Sequence, residues 1–204
     1  LKSNDIALIT DAGTPLLSDP GYKLINIARQ NNIDVTSIPG SSALMTAVSL
    51  FGRKMNNFIF EGFFSKKSND QLILSSRLRY RTKDTFLFES PKRIKSTLNF
   101  FKNKLLERDV IVFHELTKLN EKVIEFNLVD LPLYDFKPLG QYIILISGTT
   151  VKYSKIDKDF STYIKQEIEY LVANRLPLKN AAKIIADIFD FPRKDIYNIW
   201  IDKK

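Results

Sequence analysis

The chain has 204 residues, 44% of them hydrophobic, and carries a net charge of +8, which is apolar material enough for a buried core in one or two domains. It has no cysteine and one histidine, His114, so disulfides and thiolate metal sites are excluded, and a histidine metal site or a serine triad lacks its usual parts. No apolar run approaches a membrane span and nothing at the start resembles a signal peptide, so a cytoplasmic location is expected.

In chain order, Ile6 to Ile9 read as a buried strand, followed by the run TDAGTPLLSDPG from Thr10 to Gly21. Pro20 and the apolar spacing of Tyr22, Leu24, Ile25 and Ala28 predict a helix with the proline at its first position. A small-residue loop between strand and helix is where open parallel sheets bind ligands. Gly13 admits a close main-chain approach, and Thr10, Thr14 and Ser18 supply hydroxyls. The same loop is also what an ordinary strand-to-helix connection looks like. Neither GxGxxG nor GxxxxGK[ST] spacing is present, which disfavours a nucleoside triphosphate. A second small-residue turn, Pro39 to Ala43, separates a predicted strand at Val35 to Ile38 from a helix at Leu44 to Leu50. Two such turns side by side imply a cleft at the carboxyl ends of parallel strands.

The middle of the chain predicts a strand at Phe58 to Phe64, a helix at Gln71 to Leu78, a strand at Thr85 to Glu89 and a helix from Pro91 to Leu105. Strands follow at Asp109 to Phe113, Lys122 to Phe126 and Gln141 to Ile146, closed by Ser147 and Gly148. Strand-rich order with fewer helices suggests a mixed sheet. Beyond Gly148 come three amphipathic helices, Phe160 to Ala173, Leu178 to Phe189 and Arg193 to Trp200, with turns at Arg175 to Pro177 and Asp190 to Pro192. The last two, with Ala181, Ala182, Ile185 and Ala186 free to pack closely, resemble a helix-turn-helix. A small bundle that only packs or dimerises fits the same periodicity.

Positive charge is concentrated in residues 53–104, with thirteen Lys and Arg against four Asp and Glu. Lys66 and Lys67 open a polar turn, Arg77, Arg79, Arg81 and Lys83 follow closely, and Lys92, Arg93 and Lys95 open a helix. Such a region favours a polyanion; a solvated lysine-rich face is the alternative.

The motifs TDAGTPLLSDPGY, PGSSA, FEGFFS, FESPKR and HELTK, in order from Thr10 to Lys118, resemble those of the tetrapyrrole methylase superfamily, and within it the ribosomal RNA small-subunit methyltransferase I group. The resemblance implies two α/β domains with S-adenosylmethionine between them, a helical appendage, and methylation of a cytidine ribose 2′-hydroxyl in small-subunit (16S) rRNA. It implies no metal, and by analogy homodimers. Residues 1–52 are then the C-terminal half of the cofactor-binding domain, 53–149 a second α/β domain and 150–204 a helix-turn-helix-like domain. Leu1 is not an initiator methionine, and the resemblance implies a preceding segment carrying the first strand, a proline-glycine loop and an acidic-threonine-arginine motif, without which the chain is expected to be impaired.

Positions matching the superfamily's cofactor contacts are Ala12, Gly13, Thr14 and Leu17, then Ser42 and Ala43, then Glu89 and Leu116. Glu89 and Glu115 are candidates to take the hydroxyl proton, with Lys118 as base or oxyanion partner and Arg93 nearby. An ion pair between Glu115 and Lys118, and a strand-end hydrogen bond for Glu89, are the structural alternatives. Lys66, Lys67, Arg77, Arg79, Arg81, Lys92 and Arg93 are the RNA-binding candidates. The chain departs from the group pattern at Gln141, where Gly-Glu is usual, and at His114, where arginine is usual. Two other readings stay open: a small-molecule, tetrapyrrole-type methyltransferase, and a non-catalytic RNA-binding module.

Overall fold

The computed structural model describes residues 4–10, 13–105, 107–131, 135–150, 158–189 and 191–201. Its centre is a five-stranded sheet built from β1 (Ile59–Phe63), β2 (Thr85–Glu89), β3 (Asp109–His114), β4 (Lys122–Asn127) and β5 (Tyr142–Ile146), in the order β1-β2-β5-β3-β4. β1 and β2 are parallel and every other pair is antiparallel, giving the mixed sheet the sequence suggests. The parallel pair is joined through a helix, as parallel neighbours require.

Period-two alternation divides the sheet into two buried faces. Leu87, Val110, Val112, Tyr142, Ile144 and Ile146 point to one face, where α4 (Ile94–Leu105) lays down Ile94, Leu98, Phe101 and Leu105. Phe86, Ile111, Phe113, Ile143 and Leu145 point to the other, covered by Leu44, Ala47 and Phe51 at α2 (Ala43–Leu50) and its end. Because the three inner strands are covered on both sides, they read as nearly continuous apolar runs.

α1 (Tyr22–Gln30) starts later than the proline position predicts. Gly21, at φ 129°, is the residue before its first turn, so Pro20 lies in the loop. α2 is capped by the Ser42 hydroxyl, which accepts from the Met45 amide at 3.4 Å. α3 (Ser68–Tyr80) begins three residues before the predicted start, because the turn at Ser65 is held by hydrogen bonds to Asp70, the Lys67 amide and Gln71. α4 begins after Pro91, which sits in the preceding turn rather than at the first helical position.

The two strands expected in the first fifty residues do not form. Residues 6–9 and 35–38 enter no ladder among the described residues, and Ile9 and Ile38 are 83% and 86% exposed. A short apolar run becomes a strand only where a neighbour satisfies its main-chain groups, and no described segment does so here. The loops that follow them nevertheless come together.

α5 (Lys158–Ala173), α6 (Leu178–Phe189) and α7 (Arg193–Ile201) enclose a second core of Phe160, Ile164, Ile168, Leu171, Ala181, Ala182, Ile185, Ala186 and Ile196. Leu72 of α3 belongs to it, so the bundle packs onto the sheet unit. The Arg79 guanidinium crosses this junction to the Glu167 carboxylate and also donates to the Lys104 carbonyl at 2.9 Å. Arg108 donates to the carbonyls of Leu78, Arg79 and Ser147, tying the end of α3 to the end of β5.

Candidate active site at the strand ends

The parallel and antiparallel pairings bring the ends of β1, β2 and β3 and the start of β5 to one edge of the sheet: Glu89 and His114 both lie opposite Tyr142. Above that edge the two small-residue turns meet, with the Thr14 hydroxyl donating to the Ser41 carbonyl at 3.2 Å. The first turn is shaped by a run of left-handed residues, Gly13, Leu16, Ser18 and Gly21. Leu16 and Ser18 carry side chains in that region, a strained arrangement of the kind that concentrates at ligand sites.

Between the turns and the strand ends lies a cleft of about 310 Å³, within the size range of small-molecule sites. Of the predicted cofactor positions, Gly13, Thr14, Leu17, Ser42, Ala43 and Glu89 line it. Ala12 lies outside the described residues. Leu116 does not line the cleft; it packs against the α2-side core, because the chain turns after His114 and carries it under the sheet face. Ser18, Asp19, Phe63, Phe88, Ser90, Pro91, Gly140, Gln141, Tyr142 and Ile143 also line it. Gly140 and Gln141 stand out in the sequence only as a departure from a pattern.

Glu89 has side-chain oxygens that are already engaged. One accepts from the Ser90 amide and from Arg93 at 2.6 to 2.9 Å; the other accepts from the Thr97 hydroxyl at 2.5 Å. Its side chain has no exposure to solvent. The strand-end hydrogen-bond alternative therefore describes it: the carboxylate fastens the start of α4 to the end of β2. Arg93 also donates to the Phe64 carbonyl at 2.6 Å, which adds the end of β1 to the same knot.

Glu115 and Lys118 form the ion pair raised as their alternative, at 2.9 Å. The Glu115 carboxylate also accepts from the Gln141 amide at 2.9 Å, while the Glu115 amide donates to the Gln141 carbonyl at 3.1 Å. The hydrogen bond from Lys118 holds the Glu115 carboxyl below the usual carboxylate range; partial desolvation opposes this and the Gln141 amide reinforces it. Glu115 does not line the cleft itself. His114 stacks on Tyr142 with ring centres 4.2 Å apart and brings Nε2 to 3.0 Å from the Leu139 carbonyl. Both flank the 139–141 turn.

The basic segment is not one continuous track. Arg79 is taken up by Glu167, Arg81 by Glu61 at 2.7 Å and by Thr85, and Arg93 by Glu89. Partners from distant parts of the chain satisfy Arg79 and Arg81, and charge counted along the sequence does not reveal them. Lys66, Lys67 and Lys92 remain exposed, following β1 and β2 at the cleft end of the sheet; Arg77 is half-buried on α3. Among the described residues no group of three His, Cys, Asp or Glu side chains is placed to hold a metal ion, and no helix is long and apolar enough to cross a membrane.

Residues 1–132 match the model of the tetrapyrrole (corrin/porphyrin) methylases. The chain is 33% identical over 206 residues to a ribosomal RNA small subunit methyltransferase I of Pasteurella multocida, covering 98% of this chain and 72% of that protein. It is 32% identical over 203 residues to the protein of the same description from Xylella fastidiosa, covering 97% and 72%. Among solved structures, the methyltransferase CobJ is similar with a TM-score of 0.48 and 15% identity, covering 70% of this chain and 64% of that one. The chain belongs to the tetrapyrrole methylase family and, within it, to the ribosomal RNA small subunit methyltransferase I group.

Proposed function

We propose that the cleft binds S-adenosylmethionine and that the protein methylates the ribose 2′-hydroxyl of a cytidine in small-subunit rRNA. The observation that carries this reading is the convergence of both small-residue turns with the ends of β1 and β2 and the start of β5 around one cleft, flanked by the exposed Lys66, Lys67 and Lys92.

The donor set suits that cofactor. Main-chain groups at Gly13, Ser42, Ala43 and Gly140 and the hydroxyls of Thr14 and Ser42 would offer hydrogen bonds to its polar groups, while Leu17, Phe88 and Ile143 would offer apolar walls. When bound, the cofactor supplies an electrophilic methyl group on a sulfonium; the protein supplies alignment and a proton acceptor. Glu89 and Glu115 are already engaged in holding the cleft's walls. Asp19 also lines the cleft and is exposed, so its carboxylate is the group proposed to receive the hydroxyl proton. Lys66, Lys67 and Lys92 attract the RNA backbone; the bundle of α5 to α7, which packs on α3 through Leu72, is the unit we assign to further RNA contacts.

The test is incorporation of labelled methyl groups from S-adenosylmethionine into small ribosomal subunits lacking the modification. Incorporation at one cytidine ribose is expected, with Asp19→Asn lowering kcat and sparing cofactor affinity. Incorporation into porphyrinoids alone would select the small-molecule reading, and RNA binding without incorporation the non-catalytic one.

A further inference from the structure

Phe63 is the one exposed phenylalanine of the fifteen in the chain, at 56% of its surface. Its position results from a β-bulge. β1 pairs Ile59 with Thr85 and Phe60 with Phe86, but then Phe63 with Phe88, so β1 carries one extra residue. Gly62, at φ +70°, takes up the irregularity, and a Cβ there would lie 3.6 Å from the Ser18 hydroxyl of the facing turn. Bulges of this kind re-aim a side chain next to a site.

The extra residue decides which way each phenylalanine points. With uninterrupted alternation Phe60 and Phe64 would share a face and Phe63 would oppose them. Instead Phe64 is buried in the α4-side core, whereas Phe60 and Phe63 both meet Phe88, at 4.8 and 5.5 Å between ring centres. Phe63 thus lines the cleft. The edge-on contact with Phe88, at 67° between ring planes, braces the ring while more than half of it stays open. Two exposed lysines, Lys66 and Lys67, follow within four residues.

We propose that Phe63 is a stacking platform for the acceptor nucleotide's base, an unpaired pyrimidine whose neighbouring phosphates meet Lys66 and Lys67; this rests on the rRNA reading above. An aromatic face beside cationic side chains is the combination by which proteins hold unpaired nucleotides. The adenine of the cofactor is the competing occupant. The placement of Phe63 next to the lysines favours the acceptor, since a base within an RNA chain brings phosphates with it.

The experiment compares the full chain with Phe63→Ala, Phe63→Leu and Phe63→Trp, using small subunits lacking the modification and S-adenosylhomocysteine as separate probes. Thermal unfolding of each variant checks that the exposed position leaves the fold intact. Phe63→Ala is expected to raise KM for the subunit roughly tenfold, Phe63→Leu to recover little of that loss, and Phe63→Trp to retain wild-type KM. The calorimetric Kd for S-adenosylhomocysteine is expected to be unchanged in all three. A Kd that weakens in step with KM assigns the ring to adenine and overturns the proposal, as does an unchanged subunit KM in Phe63→Ala. Failure of the unaltered protein to methylate subunits sinks the substrate reading, and the platform with it.

Discussion

The Glu115 carboxyl group occupies the space that a side chain at residue 140 would need: a Cβ on Gly140 would lie 2.5 Å from it. Gly140 is also left-handed, at φ +84°. Glu115 holds the adjoining Gln141 by two hydrogen bonds to its main chain, so the loop that carries HELTK fixes the wall of the cleft at 140–143. Gly140→Ala is expected to push the Glu115 side chain away and to weaken S-adenosylhomocysteine binding, read as a higher calorimetric Kd. Glu115→Gln keeps an acceptor for the Gln141 amide and is expected to bind nearly as the wild type does. Equal loss in both variants would mean that charge, not the hydrogen bond, holds the turn.

The same carboxylate predicts a pH dependence. Its pKa lies below the ordinary value of 4.5, chiefly through the Lys118 hydrogen bond. A depressed folded-state pKa contributes stability that is complete above the unfolded value and fades as the pH falls through the folded one. Chemical denaturation below about pH 4.5 should therefore show a shallower fall of stability with acid in Glu115→Gln than in the wild type, with the two curves parallel at neutral pH. Parallel curves throughout would contradict the shift.

Glu89 is expected to matter to stability before chemistry. Removing its carboxylate in Glu89→Ala strands Arg93, Thr97 and the Ser90 amide, and breaking such a buried pair costs about 3 kcal/mol. For a chain of this size that lowers Tm by roughly 6 to 12 °C. A variant with wild-type Tm and no turnover would restore Glu89 as the proton acceptor.

What the sequence made legible follows from where local physics decides the outcome. β2 has the predicted limits, and α6 does as well, since their apolar patterns meet a partner on every buried side. The turn motifs marked the cleft because glycine and hydroxyl residues carry their reasons locally. Residues 6–9 misled, as four apolar residues cannot declare whether a neighbouring strand exists. The basic segment misled for a related reason: Arg79 and Glu167 are 88 positions apart, so no local pattern reveals that the charge is spent inside. Phe63 was hidden by its bulge, whose only sequence signal is Gly62, set between Glu61 and Phe63 inside an otherwise strand-like run.

The Arg79 to Glu167 pair is expected to hold the helical bundle on α3. Burial, the largest single influence, pulls the Arg79 pKa down, but the Glu167 carboxylate together with Tyr80 and Tyr170 more than offsets it and the net shift is upward. Glu167→Ala should destabilise the chain by about 3 kcal/mol, whereas replacing the pair together with Arg79→Met and Glu167→Leu should recover most of that. Denaturant melts of the singles and the double, combined as a cycle, give the coupling.

Lys66 and Lys67 should act on RNA alone. Lys66→Ala with Lys67→Ala is expected to leave Tm unchanged and to make RNA binding less sensitive to salt. The log–log slope should fall by about 0.7 for each phosphate of a single strand that is no longer neutralised. Arg81→Ala, which breaks the pair with Glu61, should instead lower Tm. The measurement is RNA affinity across a salt series.

The most direct measurement is calorimetric titration of S-adenosylhomocysteine into the full chain and into Gly13→Val, which puts a β-branched side chain at φ +79° in the first turn. One-to-one binding by the wild type, lost in a Gly13→Val variant that still unfolds cooperatively, is the predicted result. Absence of binding by the wild type, or equal binding by both, would contradict the assignment of this cleft to the methyl donor.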